Sequence, residues 1–355
     1  MTTMNAARLI TPGEPLQIHQ VPKPEPAPGE VLVQVEACGL CGTDLHLAVE
    51  GDLPVARTPI TLGHEAAGVV VGAAAGVVGV KEGDRVALFP AAFCGSCRFC
   101  RMGRESLCDH SQVYGMMRDG ALAEYVAAPA SSAIALPAGI PFDLGAVVTD
   151  GIATPFHALR ARGHLRAGET VGVFGCGGLG THAIQLARMM GAAYVVAVDT
   201  DPAALSRARR LGADLCVNPK EDDARRAIKS ATGGGLDMTL ECVGLPVTVE
   251  LAVRCLRKGG RAVLVGVGPG RPQLPSLAAF VGREQSVLGS FGMDRADIED
   301  LYALVAAGRL DLSQSVTARY PLSRVNAALQ HLAQKEGGVV RVVVEPQADG
   351  GSDAG

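Results

Sequence analysis

The chain has no tryptophan, and aromatic residues make up only 4% of its 355 positions. Glycine is abundant instead, at 45 residues, a balance that suits closely packed α/β layers. Charged residues are few, at 19%, and their net charge of −4 argues against a nucleic acid or an anionic membrane surface as partner. No apolar run approaches the ~18 uninterrupted residues of a membrane-spanning helix. The opening MTTMNAARLI lacks the basic start and long apolar stretch of a secretory signal. Five of the ten cysteines (Cys38, Cys176, Cys216, Cys242, Cys255) are scattered among apolar residues, as expected of reduced thiols in the cytoplasm.

At 355 residues the chain is expected to form two domains. The first 150 residues are read as rich in strands and loops. Val31, Val33 and Val35 alternate along one strand face. EAAGVVVGAAAGVVGVKEGDRVAL reads as short strands broken by glycines, as in a small irregular barrel. Residues 151–290 are read as the second domain, and from about Glu169 the texture changes to short apolar runs: TVGVF, YVVAV, DLCVN, LDMTLE, RAVLV and SVLGS. Helical stretches such as THAIQLARMM separate several of them. Alternating strands and helices imply an α/β fold with a parallel, doubly wound sheet. Residues 291–355 contain an amphipathic helix, DIEDLYALVAAGRL, a last strand in GGVVRVVVEP, and a Gly/Asp/Ala-rich tail from Gln347 that reads as disordered.

Cys94, Cys97, Cys100 and Cys108 stand at C-x2-C-x2-C-x7-C. One loop with that spacing, about residues 93–109, wraps four thiolates around a tetrahedral ion, which describes a closed structural zinc site. A [4Fe–4S] cluster is the competing occupant, and nothing else in the chain suggests electron transfer.

Directly after TVGVF comes Gly175-Cys176-Gly177-Gly178-Leu179-Gly180, with a helix expected from about Leu179. Strand before and helix after are the context a dinucleotide fingerprint requires. Gly175 permits the tight turn, Gly177 lets the backbone approach a pyrophosphate, and Gly180 lets helix and strand pack. The pyrophosphate would rest on the free N–H groups of the helix N-terminus. Asp199 follows 19 residues past Gly180, at the end of YVVAV. Its carboxylate suits ribose hydroxyls and repels a 2′-phosphate, so NAD is expected rather than NADP.

Cys41-Gly-Thr43-Asp44-Leu-His46 and Gly63-His64-Glu65 fall in the strand-rich half. A thiolate (Cys41) and an imidazole (His64) are good zinc ligands, and Glu65 and Asp150 are candidates for a third. Three protein ligands and one open position would make the site catalytic.

These motifs, in this order and spacing, resemble those of the zinc-dependent alcohol dehydrogenases of the medium-chain dehydrogenase/reductase superfamily, over essentially the whole chain. The resemblance implies a GroES-like catalytic domain interrupted by a Rossmann domain and completed by the C-terminal segment, with the active site in the cleft between domains. It implies two zinc ions per subunit, one catalytic and one structural. Cys41 and His64 would ligate the catalytic zinc, Glu65 would sit close to it, and Asp44 would orient His64. Asp150 stands where many members have cysteine. A bacterial branch acting on secondary alcohols shares that departure, so Asp150 is read as the remaining ligand. Thr154 and Leu179 would contact the nicotinamide, and Arg341 the cofactor phosphates. Thr43 would take the alcohol proton, and His46 would pass it to solvent.

The expected activity is reversible NAD-linked oxidation of an alcohol, secondary by this resemblance, to ketone or aldehyde. A polyol or amino-alcohol dehydrogenase of the same superfamily is the second reading. A zinc- and nucleotide-binding protein without turnover is a third, against which the intact Thr43/His46 pair counts. Zinc-free quinone or enoyl reductases share the fold but lack both metal motifs. The segment between Cys108 and Glu124 is short, as in the tetrameric bacterial members of the family it resembles, so the resemblance implies a homotetramer, with a dimer as alternative.

Overall fold

The computed structural model describes residues 2–335 and 338–348. The chain forms two compact units: Met1–Asp150 with Asp294–Gly355, and Gly151–Met293.

The first unit is built on a seven-stranded sheet. The strand Glu30–Leu40 lies at its centre, antiparallel to Glu65–Ala73 on one side and Arg341–Glu345 on the other. Val31, Val33 and Val35 are completely buried, so the alternating face expected from sequence does form the core. Each buried valine contributes roughly 1.5–3 kcal/mol. The segment expected as short strands broken by glycines supplies two strands, Arg85–Leu88 and, longer than expected, the nine-residue Glu65–Ala73. Gly68 does not break it. A Cβ there would lie 1.9 Å from the carbonyl oxygen of Gln34, so this glycine lets two strands pass closely.

The C-terminal part of the chain joins this same unit. Asp294 caps the helix Arg295–Ala306 in a reciprocal capping box with Asp297, and Ile298, Leu301 and Tyr302 form its buried stripe. The strand Arg341–Glu345 then pairs with the central strand, setting Val342 opposite Leu40 and Val344 opposite Cys38. Gln347, expected to begin a disordered tail, is held in place: its Nε2 donates to the carbonyls of Val35 at 3.1 Å and Glu124 at 2.9 Å. The rest of that expectation, residues 349–355, lies outside the described residues.

The second unit holds a six-stranded parallel sheet. In space its strands run Leu215–Val217, Tyr194–Val198, Thr170–Phe174, Leu236–Glu241, Leu256–Leu264 and Ser286–Gly289. All six apolar runs of the sequence supply a strand. Val171, Val173, Val195, Val196, Met238 and Leu240 are all fully buried, as expected when helices cover both faces of a parallel sheet. The strand order reverses between Thr170–Phe174 and Leu236–Glu241, and sheets of this kind bind ligands beyond the carboxyl ends of the strands at such a point.

Among the described residues no helix is long and apolar enough to cross a membrane.

Candidate active site

Cys41 follows the central strand and caps the short helix Gly42–Leu45. Its Sγ accepts from the backbone N–H of Thr43 at 3.3 Å, and its own N–H donates to Asp44 Oδ2 at 3.0 Å. His64 precedes the strand Glu65–Ala73, and Asp150 closes the first segment of the unit. These elements bring Cys41, His64, Glu65 and Asp150 together, with one ligand atom from each lying within 4.8 Å of the others. His64 Nε2 is the hub, 3.1 Å from Cys41 Sγ and 3.5 Å from Asp150 Oδ2. Both candidates for a third ligand, Glu65 and Asp150, are therefore in place.

Cys41, His64 and Glu65 are buried and Asp150 is partly exposed. Asp44 and Glu65 are completely buried, and each keeps one carboxylate oxygen without a hydrogen-bond partner. Asp44 Oδ1 faces His64 Nδ1 at 3.9 Å. Burial works to lower the pKa of His64, but the Cys41 thiolate and the Asp44 carboxylate outweigh it and raise the value well above the usual imidazole range. Burial raises Glu65 to about 7 against the pull of Arg341. Sulfur, nitrogen and oxygen donors around unsatisfied buried anions are the donor set of a divalent zinc site, so the residues fit that ion.

Arg341, expected beside the cofactor phosphates, has its buried guanidinium on Glu65. No sequence signal could have paired them, since they are 276 residues apart. Gly39 makes room for the pair: opposite Glu65 in the strand register, its Cβ would lie 2.2 Å from Glu65 Oε2.

Thr43 and His46 follow Cys41 on the same turn of chain. His46 Nδ1 lies 2.8 Å from Glu50 Oε2 and 3.0 Å from Asp52 Oδ1, two exposed carboxylates that the sequence did not single out. The left-handed Gly51 (φ 68°) turns the chain so that both reach the same ring nitrogen.

The four lobe cysteines also converge. Cys94 Sγ lies 3.9 Å from Cys100 Sγ and 3.6 Å from Cys108 Sγ. A tetrahedron with bonds of ~2.3 Å to sulfur has edges of about 3.8 Å, so these spacings suit a single ion. Backbone N–H groups of Cys97, Cys100, Cys94 and His110 point at the sulfurs of Cys94, Cys97, Cys108 and Cys108 respectively. Such donors stabilise thiolates, and the N–H groups of Ser96 and then Cys97 draw Cys94 down to about 6. All ten cysteines of the chain are free of disulfides.

In the second unit Gly175 has a φ of +89°, and the helix Gly178–Met189 begins three residues later. A Cβ on Gly180 would lie 1.8 Å from the carbonyl oxygen of Gly175, so only glycine allows this helix to meet this strand. Asp199 Oδ2 accepts from Cys176 N–H at 2.6 Å and Oδ1 from Asp201 N–H at 2.9 Å, which fixes the carboxylate beside the turn. Arg207, unremarked in the sequence, props the turn from behind: it donates to the Cys176 carbonyl at 2.9 Å and to Thr181 Oγ1 at 3.1 Å. Thr154 is buried in the helix Ala153–His157 and Leu179 is half-buried. Both belong to this second unit, whereas the metal quartet is complete within the first.

Comparison with known proteins agrees with this fold. Residues 27–138 match the alcohol dehydrogenase GroES-like domain, and residues 178–307 match the zinc-binding dehydrogenase family. An alcohol dehydrogenase of Geobacillus stearothermophilus is 37% identical over 91% of this chain and 94% of its own length. An L-threonine 3-dehydrogenase of Symbiobacterium thermophilum is 34% identical over 98% of this chain and 99% of its own. The crystal structure of a zinc-binding dehydrogenase from Sinorhizobium meliloti, solved with NADP, superposes with a TM-score of 0.87 at 34% identity, covering 98% of this chain and all of that one. The chain belongs to the zinc-binding alcohol dehydrogenases of the medium-chain dehydrogenase/reductase superfamily, with a Rossmann unit and a GroES-like unit. It is an enzyme, a zinc-dependent oxidoreductase that works on alcohols with a nicotinamide dinucleotide.

Proposed function

We propose that the enzyme oxidises a secondary alcohol reversibly to its ketone with NAD, using a catalytic zinc at Cys41, His64 and Asp150, with Glu65 alongside. The observation that carries this reading is the convergence of those four side chains, three of them buried and Asp150 partly exposed, with Cys41 two positions before Thr43. Zinc bound there would act as a Lewis acid on the substrate oxygen while NAD accepts the hydride. Asp44 holds His64 in place, and its capping bond to Cys41 N–H ties both ligands to one turn. Thr43 Oγ1 takes the alcohol proton. His46, with 26% of its side chain exposed and its Nδ1 on Glu50 and Asp52, carries the proton out to solvent.

A second zinc at Cys94, Cys97, Cys100 and Cys108 is structural, with no open position for chemistry. NAD is preferred over NADP because the Asp199 carboxylate, fixed by two backbone N–H groups, repels a 2′-phosphate. Thr154 and Leu179 serve the nicotinamide, and Gly175, Gly177, Gly178 and Gly180 the pyrophosphate. Ten free thiols suit a reducing cytoplasm. The short segment between Cys108 and Glu124 supports a homotetramer over a dimer by analogy with the tetrameric bacterial members of the family. Light scattering of the purified protein decides that state.

The activity test is NADH formation against primary alcohols, secondary alcohols, vicinal diols and amino alcohols, before and after chelation. Turnover of secondary alcohols that is lost with zinc and restored by it supports the proposal. Preference for amino alcohols or diols transfers it to the second reading, which the L-threonine 3-dehydrogenase relative favours. NADH binding with no turnover leaves the non-catalytic reading. Thr43→Val isolates the proton step: kcat falls roughly 10²–10⁴-fold, the span of a lost general acid–base group. Thr43→Ser keeps most of the activity.

A further inference from the structure

We infer that Glu241 is a positioning residue for the dinucleotide, acting through the turn it holds rather than by touching the cofactor. This rests on the reading of the glycine turn as a nicotinamide dinucleotide site.

Glu241 ends the strand Leu236–Glu241 and is completely buried. Its carboxylate meets no cation in an ion pair among the described residues and is satisfied by the chain that follows it. Oε1 accepts from the N–H of Val243 at 2.9 Å, the N–H of Gly244 at 3.0 Å and the hydroxyl of Thr248 at 2.6 Å. Oε2 accepts from the Gly244 N–H at 3.1 Å. One carboxylate thus winds residues 242–245 around itself and ties them to the first turn of the helix Pro246–Arg254. The main-chain carbonyl of Glu241 also accepts from Val265 and Gly266 at 2.9 and 3.0 Å, so the next strand end is held at the same point.

The position of this turn gives it a function. Phe174 and Glu241 are register partners across the place where the strand order reverses. The Cys242 N–H donates to the Phe174 carbonyl at 2.9 Å, which sets the turn after Glu241 beside the turn that begins at Gly175. A Cβ on Gly175 would lie 2.5 Å from Val243 Cγ2, so Val243 covers that first glycine. The turn is packed backbone on backbone behind: a Cβ on Gly266 would lie 2.1 Å from Gly244 N, and one on Gly244 2.5 Å from the Val267 carbonyl carbon. In front, Val243 and Leu245 remain exposed. The crevice at the carboxyl ends of the sheet therefore has two walls, the glycine turn and the Val243–Leu245 turn, and Glu241 sets the second against the first.

The same strand carries its own control. Asp237, near the opposite end, accepts from Thr170 N–H at 2.8 Å and Oγ1 at 2.9 Å and pairs with Arg257 at 2.9 Å. It ties the same two strands at the end away from the glycine turn. A merely structural carboxylate on this strand would behave as Asp237 does.

The experiment is titration of the zinc-loaded, full-length enzyme with NADH by fluorescence, alongside steady-state kinetics, for the wild type, Glu241→Gln, Thr248→Val and Asp237→Asn. Glu241→Gln is expected to weaken NADH binding about tenfold, the effect of losing a hydrogen-bonded charge. It should raise KM for NAD to match, leaving kcat at saturating NAD and the zinc content near wild type. Thr248→Val removes one donor and should weaken binding roughly two- to threefold. Asp237→Asn should lower the Tm while leaving NADH affinity within about twofold of wild type. Equal weakening by Asp237→Asn and Glu241→Gln, or unchanged affinity in Glu241→Gln, overturns the inference. Should Glu241→Gln fail to fold, unchanged affinity in Thr248→Val overturns it. A wild type that binds no NADH would instead sink the dinucleotide reading underneath.

Discussion

Arg341 and Glu65 form a fully buried ion pair, 3% and 0% exposed, joining the strand Arg341–Glu345 to the residue after His64. Breaking such a pair on one side leaves an uncompensated charge in a dry site. Arg341→Met should therefore cost about 3–5 kcal/mol, whereas Glu65→Gln with Arg341→Met should recover much of it. For a unit of this size the single variant would lose on the order of 10 °C in Tm. A double-mutant cycle by thermal melting reads the coupling, and purely additive effects would refute it.

Asp44 lies between Cys41 and His64, two of the proposed zinc ligands. One of its oxygens holds Cys41 N–H and the other, without a hydrogen-bond partner, faces His64. Asp44→Asn keeps the shape but loses the charge, and should weaken zinc retention or activity by roughly 10–100-fold. Zinc loss to a chelator over time measures it. Retention equal to wild type would show that Asp44 only caps its helix.

The cysteine lobe holds more than itself. Ser106 N–H and Oγ donate to Asp294 at 3.2 and 2.8 Å, Arg104 Nε donates to it at 3.1 Å, and Glu105 accepts from Arg295 N–H at 3.2 Å. The residues just before Cys108 thus anchor the start of the helix Arg295–Ala306. If the lobe holds the proposed structural zinc, Cys97→Ser should release that ion, lower stability by about 3 kcal/mol or more, and speed amide exchange at residues 294–298. Unchanged exchange there would separate the lobe from that helix.

Glu169 and Arg261 make a two-point ion pair, with contacts of 2.6 and 3.0 Å. Burial works to raise the Glu169 carboxyl, but its hydrogen bonds from Arg261 and the Arg166 N–H outweigh it and hold the group below the usual range. A carboxyl whose folded pKa is lowered adds stability above its unfolded pKa, and loses it as pH falls through the folded one. Glu169→Gln should therefore lower the Tm at pH 7 by a small amount, the pair being partly exposed to solvent. The difference from wild type should shrink steadily below about pH 4.5. A gap that stays constant with pH would rule out a charge effect.

Motifs confined to one stretch of chain were legible. The four lobe cysteines, the glycine turn and the Cys41–His46 run each carry their chemistry within a few residues. Their spacing therefore reports geometry directly, and in the folded protein the donors converge. The strands of the second unit were equally plain, because burial on both faces demands uninterrupted apolar runs. Gly68 misled for the opposite reason. Glycine inside a strand pattern signals either a break or a close approach, and only the neighbouring Gln34 carbonyl distinguishes them.

What the sequence determined by itself was therefore the local chemistry: which residues can bind metal, where a phosphate can rest, and which runs become strands. Partnership across long separations came only with the folded chain. Arg341 on Glu65 and Gln347 on Val35 bring together residues hundreds of positions apart, and the choice of partner at such distances is made by sheet register and burial, which no single stretch of sequence contains.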